Sequence, residues 1–230
     1  MSQAKAIVLA HTPYFEFRKQ QQPVNDPQTH PIFQDLTDEQ SAYQMFDPHH
    51  GQGGFGASSA LLLGYAHIKK PGDLPTAFAL HKKYHNSGSG ADLISQYHGG
   101  LQLINTQTLT AHNLEFPRQT CVFIFRTGIK IQTHVHLADL PHFNANELTQ
   151  LVESWPTDRE ITPDAFCQLI NRYEHMLSQY NLRCDAVNPI ITWVKKQPEV
   201  LAAKGCGALG ADVILVVCAE NDAQKGIMLD

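Results

Sequence analysis

Apolar and polar positions switch between two periods along this chain, and the switches mark its elements. Residues 4–9 form a short apolar run, and alternation follows through Tyr14, Phe15, Glu16, Phe17 and Arg18. Both read as β-strands, with a turn near Thr12 and Pro13. Residues 20–38 are polar and proline-broken, which predicts a loop, and 38–46 read as a short helix. Helical periodicity predicts helices over 58–69, ended by Pro71, Gly72 and Asp73, over 74–84, and over 91–98, stopped by Gly99 and Gly100. Residues 101–105, 121–126 and 130–137 read as strands. After Pro141 the texture turns helical over 147–155, 162–180 and 190–203. A buried-looking strand at 212–218 follows, with 226–229 as its expected partner. The pattern predicts an α+β protein with a strand-and-loop first half, a helix-rich second half and a boundary near Pro117.

Composition narrows the class of function. A chain of 230 residues with 43% apolar and 17% charged side chains can bury a sizeable core, in one large domain or two small ones. Its net charge of -5 leaves no electrostatic footprint for nucleic acid or an anionic membrane. No apolar run approaches the ~20 residues that span a bilayer. The start of the chain lacks a signal-peptide pattern, and the five scattered cysteines contain no Cys-x-x-Cys pair. Both point to a cytoplasmic protein with reduced thiols.

Candidate chemistry gathers at glycine-rich segments. Gly51, Gly53, Gly54 and Gly56 precede Ala57, Ser58 and Ser59, which open the helix over 58–69. Without a Cβ the backbone can approach a ligand closely, and the free amides of a helix start favour an anion. A phosphate cradle and a surface loop before a capped core helix both fit these residues. The spacing is neither the dinucleotide fingerprint nor the P-loop. A second glycine segment, Gly88-Ser89-Gly90, sets Asp92 at the next helix start. There the carboxylate either serves as a base for a substrate hydroxyl or simply suits the first turn. Arg126, Thr127, Gly128, Lys130 and Thr133 read as a hairpin, and Lys204 to Asp212 as a glycine-rich loop before the 212–218 strand. His49, His50, His134 and His136 raise a metal-dependent enzyme as an outside reading, though no carboxylate or cysteine joins them at a familiar spacing.

Taken in order, these segments resemble the GHMP kinase superfamily, the galacto-, homoserine, mevalonate and phosphomevalonate kinases. Gly54-Phe55-Gly56-Ala57-Ser58-Ser59-Ala60 is similar to that family's Gly-Leu-Gly-Ser-Ser-Ala phosphate loop, with Ser58 on the second serine. Ser89-Gly90-Ala91-Asp92 resembles the segment that carries its catalytic Asp. Thr127, Gly128 and Thr133 resemble the Thr-Gly-x-x-x-x-Thr strand pair, and Gly207-Ala208-Leu209-Gly210 the C-terminal Gly-Ala-Gly-Gly loop. The Gly88-to-Leu93 and Lys204-to-Asp212 segments are most similar to phosphomevalonate kinases.

The resemblance implies a GHMP kinase-like two-domain α+β fold. Residues 1–117 would be an ATP-binding part like ribosomal protein S5 domain 2, shortened at its start, and 118–230 a ferredoxin-like α+β part. It implies ATP and Mg²⁺ as cofactors. The phosphates would lie on Gly51, Gly53, Gly54, Phe55, Gly56, Ala57, Ser58 and Ser59, with Ser58 as the metal ligand. Asp92, Thr133 and Lys130 would be catalytic; Ser89, Gly90, Gly207, Ala208 and Lys204 would bind substrate, with Arg126 nearby. The implied reaction is phosphoryl transfer to a hydroxyl or phosphate of a small acidic metabolite. Mevalonate or phosphomevalonate is expected, in isoprenoid biosynthesis, with no nucleic-acid or membrane partner and room for a homodimer. The family's first motif, Pro-Gly-Lys-x-x-Leu-x-Gly-Glu, is not found in the chain. Two expectations follow: a kinase in which another cation such as Lys130 replaces that motif's Lys, or an impaired relative that binds a nucleotide or metabolite.

Overall fold

The computed structural model describes residues 5–10, 16–19, 43–46, 56–69, 72–84, 88–129, 146–156, 160–206 and 213–223. The chain divides into two compact units, Met1–Asn113 and Leu114–Asp230.

In the first unit, strand β1 (Lys5–Ala10) pairs antiparallel with β4 (Gly100–Asn105), and β5 (Thr110–Leu114) lies beside β4. A separate antiparallel pair joins β2 (Glu16–Lys19) to β3 (Tyr43–Phe46), with Glu16 opposite Phe46. Helices α1 (Ala57–Lys69), α2 (Leu74–Tyr84) and α3 (Ala91–His98) bury one core against this sheet. Leu62, Ala77, Leu93 and Ile94 are wholly buried, and Ile104 of β4 closes the cluster. These apolar residues recur at helical spacing, so each helix turns one stripe inward.

In the second unit, β6 (Thr120–Arg126), β8 (Val213–Ala219) and β7 (Val200–Cys206) form an antiparallel sheet with β8 in the middle. The central strand is buried from Val213 to Cys218, as its unbroken apolar run requires. One sheet face, with Ala203, Ile214 and Val216, packs on Val187, Ile191 and Val194 from a 3₁₀ turn (Asp185–Val187) and α6 (Asn188–Val194). Helix α4 (Asn146–Glu153) meets α5 (Pro163–Gln179) through Leu148, Leu177 and Leu182. A last turn, α7 (Glu220–Ala223), follows β8. The α+β class expected from the sequence is the class observed. Among the described residues no helix is long and apolar enough to cross a membrane.

Three elements differ from the sequence reading. The helix expected over 38–46 is replaced by strand β3. Four residues, Tyr43, Gln44, Met45 and Phe46, are too few to separate the two periods, and pairing with β2 decides it. The helix expected over 190–203 stops at Val194. Pro198 cannot donate to the Val194 carbonyl, so the chain tightens, with Lys196 N donating to Trp193 O and Gln197 N to Val194 O. It then enters β7, so Lys204 lies on a strand and not on a loop. Strand β5 carried too few apolar residues to be read at all. The expected strands at 130–137 and 226–229 lie outside the described residues.

Candidate active site

The start of α1 is set by Gly56. Its φ is +72°, a left-handed conformation that a side chain strains. The Gly56 carbonyl accepts the first helical hydrogen bond, from Ala60 N at 3.0 Å. The amides of Ala57, Ser58 and Ser59 precede that first helical bond, at the positive end of the helix dipole.

A second glycine sets the start of α3. Gly90 has φ +76°, and a Cβ there would lie 2.5 Å from Phe78 Cε2. Glycine is thus required both by the backbone and by the packing of α2 against this turn. Ser89 Oγ accepts from Ala91 N at 3.3 Å. Asp92 follows in the first helical turn, and its Oδ1 accepts from Leu93 N at 3.0 Å. Ser95, buried on the same helix, donates its hydroxyl to Asp92 O at 2.9 Å.

The two helix starts meet at two points. Ser59 Oγ donates to Asp92 Oδ2 at 2.6 Å, and Gln96 Nε2 donates to Gly56 O at 3.1 Å. Asp92 and Gln96 stand one turn apart, so α3 presents both from one face. A side chain at Gly56 would come within 2.2 Å of Gln96 Nε2. Ser59 is 2% exposed, whereas Asp92 and Ser58 are exposed. The structure therefore brings Gly56, Ser59 and Asp92 together, with Ser58 on the same turn of α1. A solvent-reachable carboxylate is held beside the first turn of α1. That arrangement can take a proton next to a bound anion.

Two residues at this site escaped the sequence reading. Gln96 could have been found as the position one turn on from Asp92. Lys82, in the last turn of α2, donates through Nζ to Gly88 O at 3.0 Å and lies 5.1 Å from the Phe78 ring centroid. It sets a cation on the loop before Asp92. Basic residues ending a helix next to a glycine loop were the available signal.

The remaining expected site residues fall elsewhere. Lys204, in the second unit, is half-buried and donates to Gly205 O at 2.8 Å. Its Nζ lies 3.3 Å from Cys206 Sγ and 5.4 Å from the Tyr173 ring centroid. Burial works to strip its proton. Cys206, Tyr173 and Glu174 together outweigh that, and the ammonium is held above the usual lysine range. Arg126 ends β6, exposed, opposite Val213. Thr127 and Gly128 begin a turn in which Ile129 N donates to Thr127 Oγ1 at 3.0 Å. Gly51, Gly53, Gly54, Phe55, Lys130, Thr133, Gly207 and Ala208 lie outside the described residues, as do His49, His50, His134 and His136. Among the described residues no group of three or more His, Cys, Asp or Glu converges as a metal site.

No family model matches this chain, and no curated protein matches it by sequence. Solved structures do match by shape. Mevalonate kinase of L. major, in complex with R-mevalonate, superposes with a TM-score of 0.58 at 18% identity, over 84% of this chain and 67% of that one. Homoserine kinase from Cytophaga hutchinsonii gives 0.58 at 16% identity, over 80% and 62%. Mevalonate kinase of Methanococcus jannaschii gives 0.52 at 12% identity, over 66% and 50%. The chain thus spans half to two thirds of the length of these kinases. At such identities the likeness is one of fold, and the fold is GHMP kinase-like.

Proposed function

We propose that this protein is a GHMP-type small-molecule kinase. It would transfer the γ-phosphoryl group of ATP to a hydroxyl or phosphate of a small acidic metabolite, mevalonate or phosphomevalonate being the best candidates. The observation that carries this reading is the 2.6 Å bond between Ser59 and Asp92, which fixes a carboxylate against the first turn of α1. The residues fit the nucleotide's phosphates. Gly56 turns the chain into α1, and the amides of Ala57, Ser58 and Ser59 stand in the first turn of that helix, where an anion is favoured. When bound, ATP would supply the phosphoryl group and Mg²⁺ the offset of its charge, with the exposed Ser58 hydroxyl as the candidate metal ligand.

The chain's own residues then have distinct tasks. The α1 amides hold anionic oxygens in place. Asp92 accepts the proton from the attacking hydroxyl, and its bonds to Leu93 N and Ser59 Oγ fix the plane of the carboxylate. Lys82 supplies positive charge at the loop where an acidic acceptor would approach. Phosphoryl transfer asks for positioning and charge stabilisation above all, and this arrangement offers both.

The experiment is Asp92→Asn, which keeps the shape and removes the base. ATP affinity should stay within about twofold while turnover falls ~10²-fold or more. Turnover is read across mevalonate, phosphomevalonate, homoserine and simple sugars. Equal turnover in wild type and Asp92→Asn would remove Asp92 from the mechanism. ATP binding without transfer to any acceptor would instead favour a nucleotide-binding relative without kinase activity.

A further inference from the structure

We infer that the Ser59 hydroxyl positions Asp92 and does not itself bind the nucleotide, an inference that rests on the kinase reading above. By resemblance Ser59 belongs to the phosphate loop. The geometry gives it a different task. A serine hydroxyl has one hydrogen to donate. Ser59 gives it to Asp92 Oδ2 at 2.6 Å, so it has none left for a phosphate oxygen, which can only accept. The residue is 2% exposed, whereas its neighbour Ser58 is exposed and remains available on the same turn.

Asp92 needs such a partner. An exposed carboxylate in the first turn of a helix is free to swing about its side-chain torsions unless both oxygens are held. Leu93 N holds Oδ1 at 3.0 Å and Ser59 holds Oδ2. Only the second of these bonds ties the carboxylate to another element, and that element is the helix whose amides face the anion. Gln96 makes the complementary tie, from α3 back to Gly56 O. Ser59 thereby sets where the base stands relative to the phosphate end of α1. A catalytic group left loose by about an ångström loses much of its rate.

The test compares wild type, Ser59→Ala and Ser59→Thr with kcat and KM for ATP measured separately. Ser59→Ala should lower kcat about tenfold and leave KM for ATP within about twofold, and Ser59→Thr should recover most of kcat. A packing role predicts the reverse order, because alanine suits a buried helical site better than the bulkier threonine. A nucleotide-ligand role predicts a raised KM for ATP at unchanged kcat. The raised KM would overturn the inference by itself. Should threonine fail to fit, the Asp92→Asn background decides. With the base gone, Ser59→Ala should cost no further kcat, and a full additional tenfold loss there overturns the role. A wild type that transfers phosphate to none of the acceptors overturns the kinase reading and this role together. A wild type that turns over, matched by Ser59→Ala, overturns this role alone.

Discussion

Two hydrogen-bonded carboxylates, one from each unit, are used in opposite ways. Asp92, in the first unit, is exposed and takes a bond from a buried hydroxyl, Ser59. Glu174, in the second, is itself 1% exposed, on the core face of α5 between Ile170 and Leu177. Its Oε1 accepts from Arg183 Nη1 at 2.8 Å, and its Oε2 from Gly205 N at 3.2 Å. Arg183 is held in turn by the Ser178 hydroxyl. Gly205 lies on β7, the outer strand of its sheet among the described residues, and Glu174 accepts from a backbone group on that strand. A buried carboxylate whose oxygens are taken by a cation and an edge amide is part of the scaffold. An exposed one whose partner is buried is held ready for a visitor.

The largest expected effect follows from that difference. Glu174→Ala leaves Arg183 without its counter-charge and Gly205 N without an acceptor, and should lower unfolding stability by ~3–5 kcal/mol. Asp92→Ala removes an exposed group and takes one acceptor from the buried Ser59 hydroxyl, and should cost only ~1–2 kcal/mol. Chemical denaturation of the two variants checks both. Similar losses would erase the distinction, and the comparison with it.

A smaller effect is expected at the glycine that aims Asp92. Gly90→Ala must hold φ near +76° and push against the Phe78 ring, where its Cβ would meet Cε2 at 2.5 Å. The combination should cost ~2 kcal/mol. It should also lower turnover more than the stability loss explains, because α3 carries Asp92. Loss of stability with full turnover would show that the start of α3 can shift without moving the base.

Much of the first carboxylate's setting was legible in the sequence, and little of the second's. Gly56 and Gly90 announce themselves as glycines before helices, and Asp92 sits where a helix start favours an anion. These are local signals. The Ser59–Asp92 bond spans 33 positions and the Glu174–Gly205 bond 31, so neither could be read from spacing. Glu174 falls on the apolar stripe of a helix that the sequence did predict. Its partner Gly205 lies on strand β7, whose residues read partly as the end of a helix and partly as a glycine-rich loop. Strand β3 was missed on the same ground, since its partner β2 lies far back in the chain.

The smallest effect sharpens the comparison within the second unit itself. Asn171 lies one turn before Glu174 on α5, and its Nδ2 donates to Leu201 O at 3.1 Å, on the same edge of β7. The helix therefore covers the outer edge of that strand with two side chains, one at each end. Their surroundings differ. Asn171 makes its bond at the surface, where water can replace it, so Asn171→Ala should cost only ~0.5–1 kcal/mol. Glu174 makes its bonds where water cannot follow. Amide hydrogen exchange separates the two without reference to global stability. The Gly205 amide should stay protected in Asn171→Ala and lose protection in Glu174→Ala well before the neighbouring β8 amides do. Equal protection of Gly205 in both variants would mean that the edge is closed by packing alone, and that Glu174 is held in the core only for Arg183.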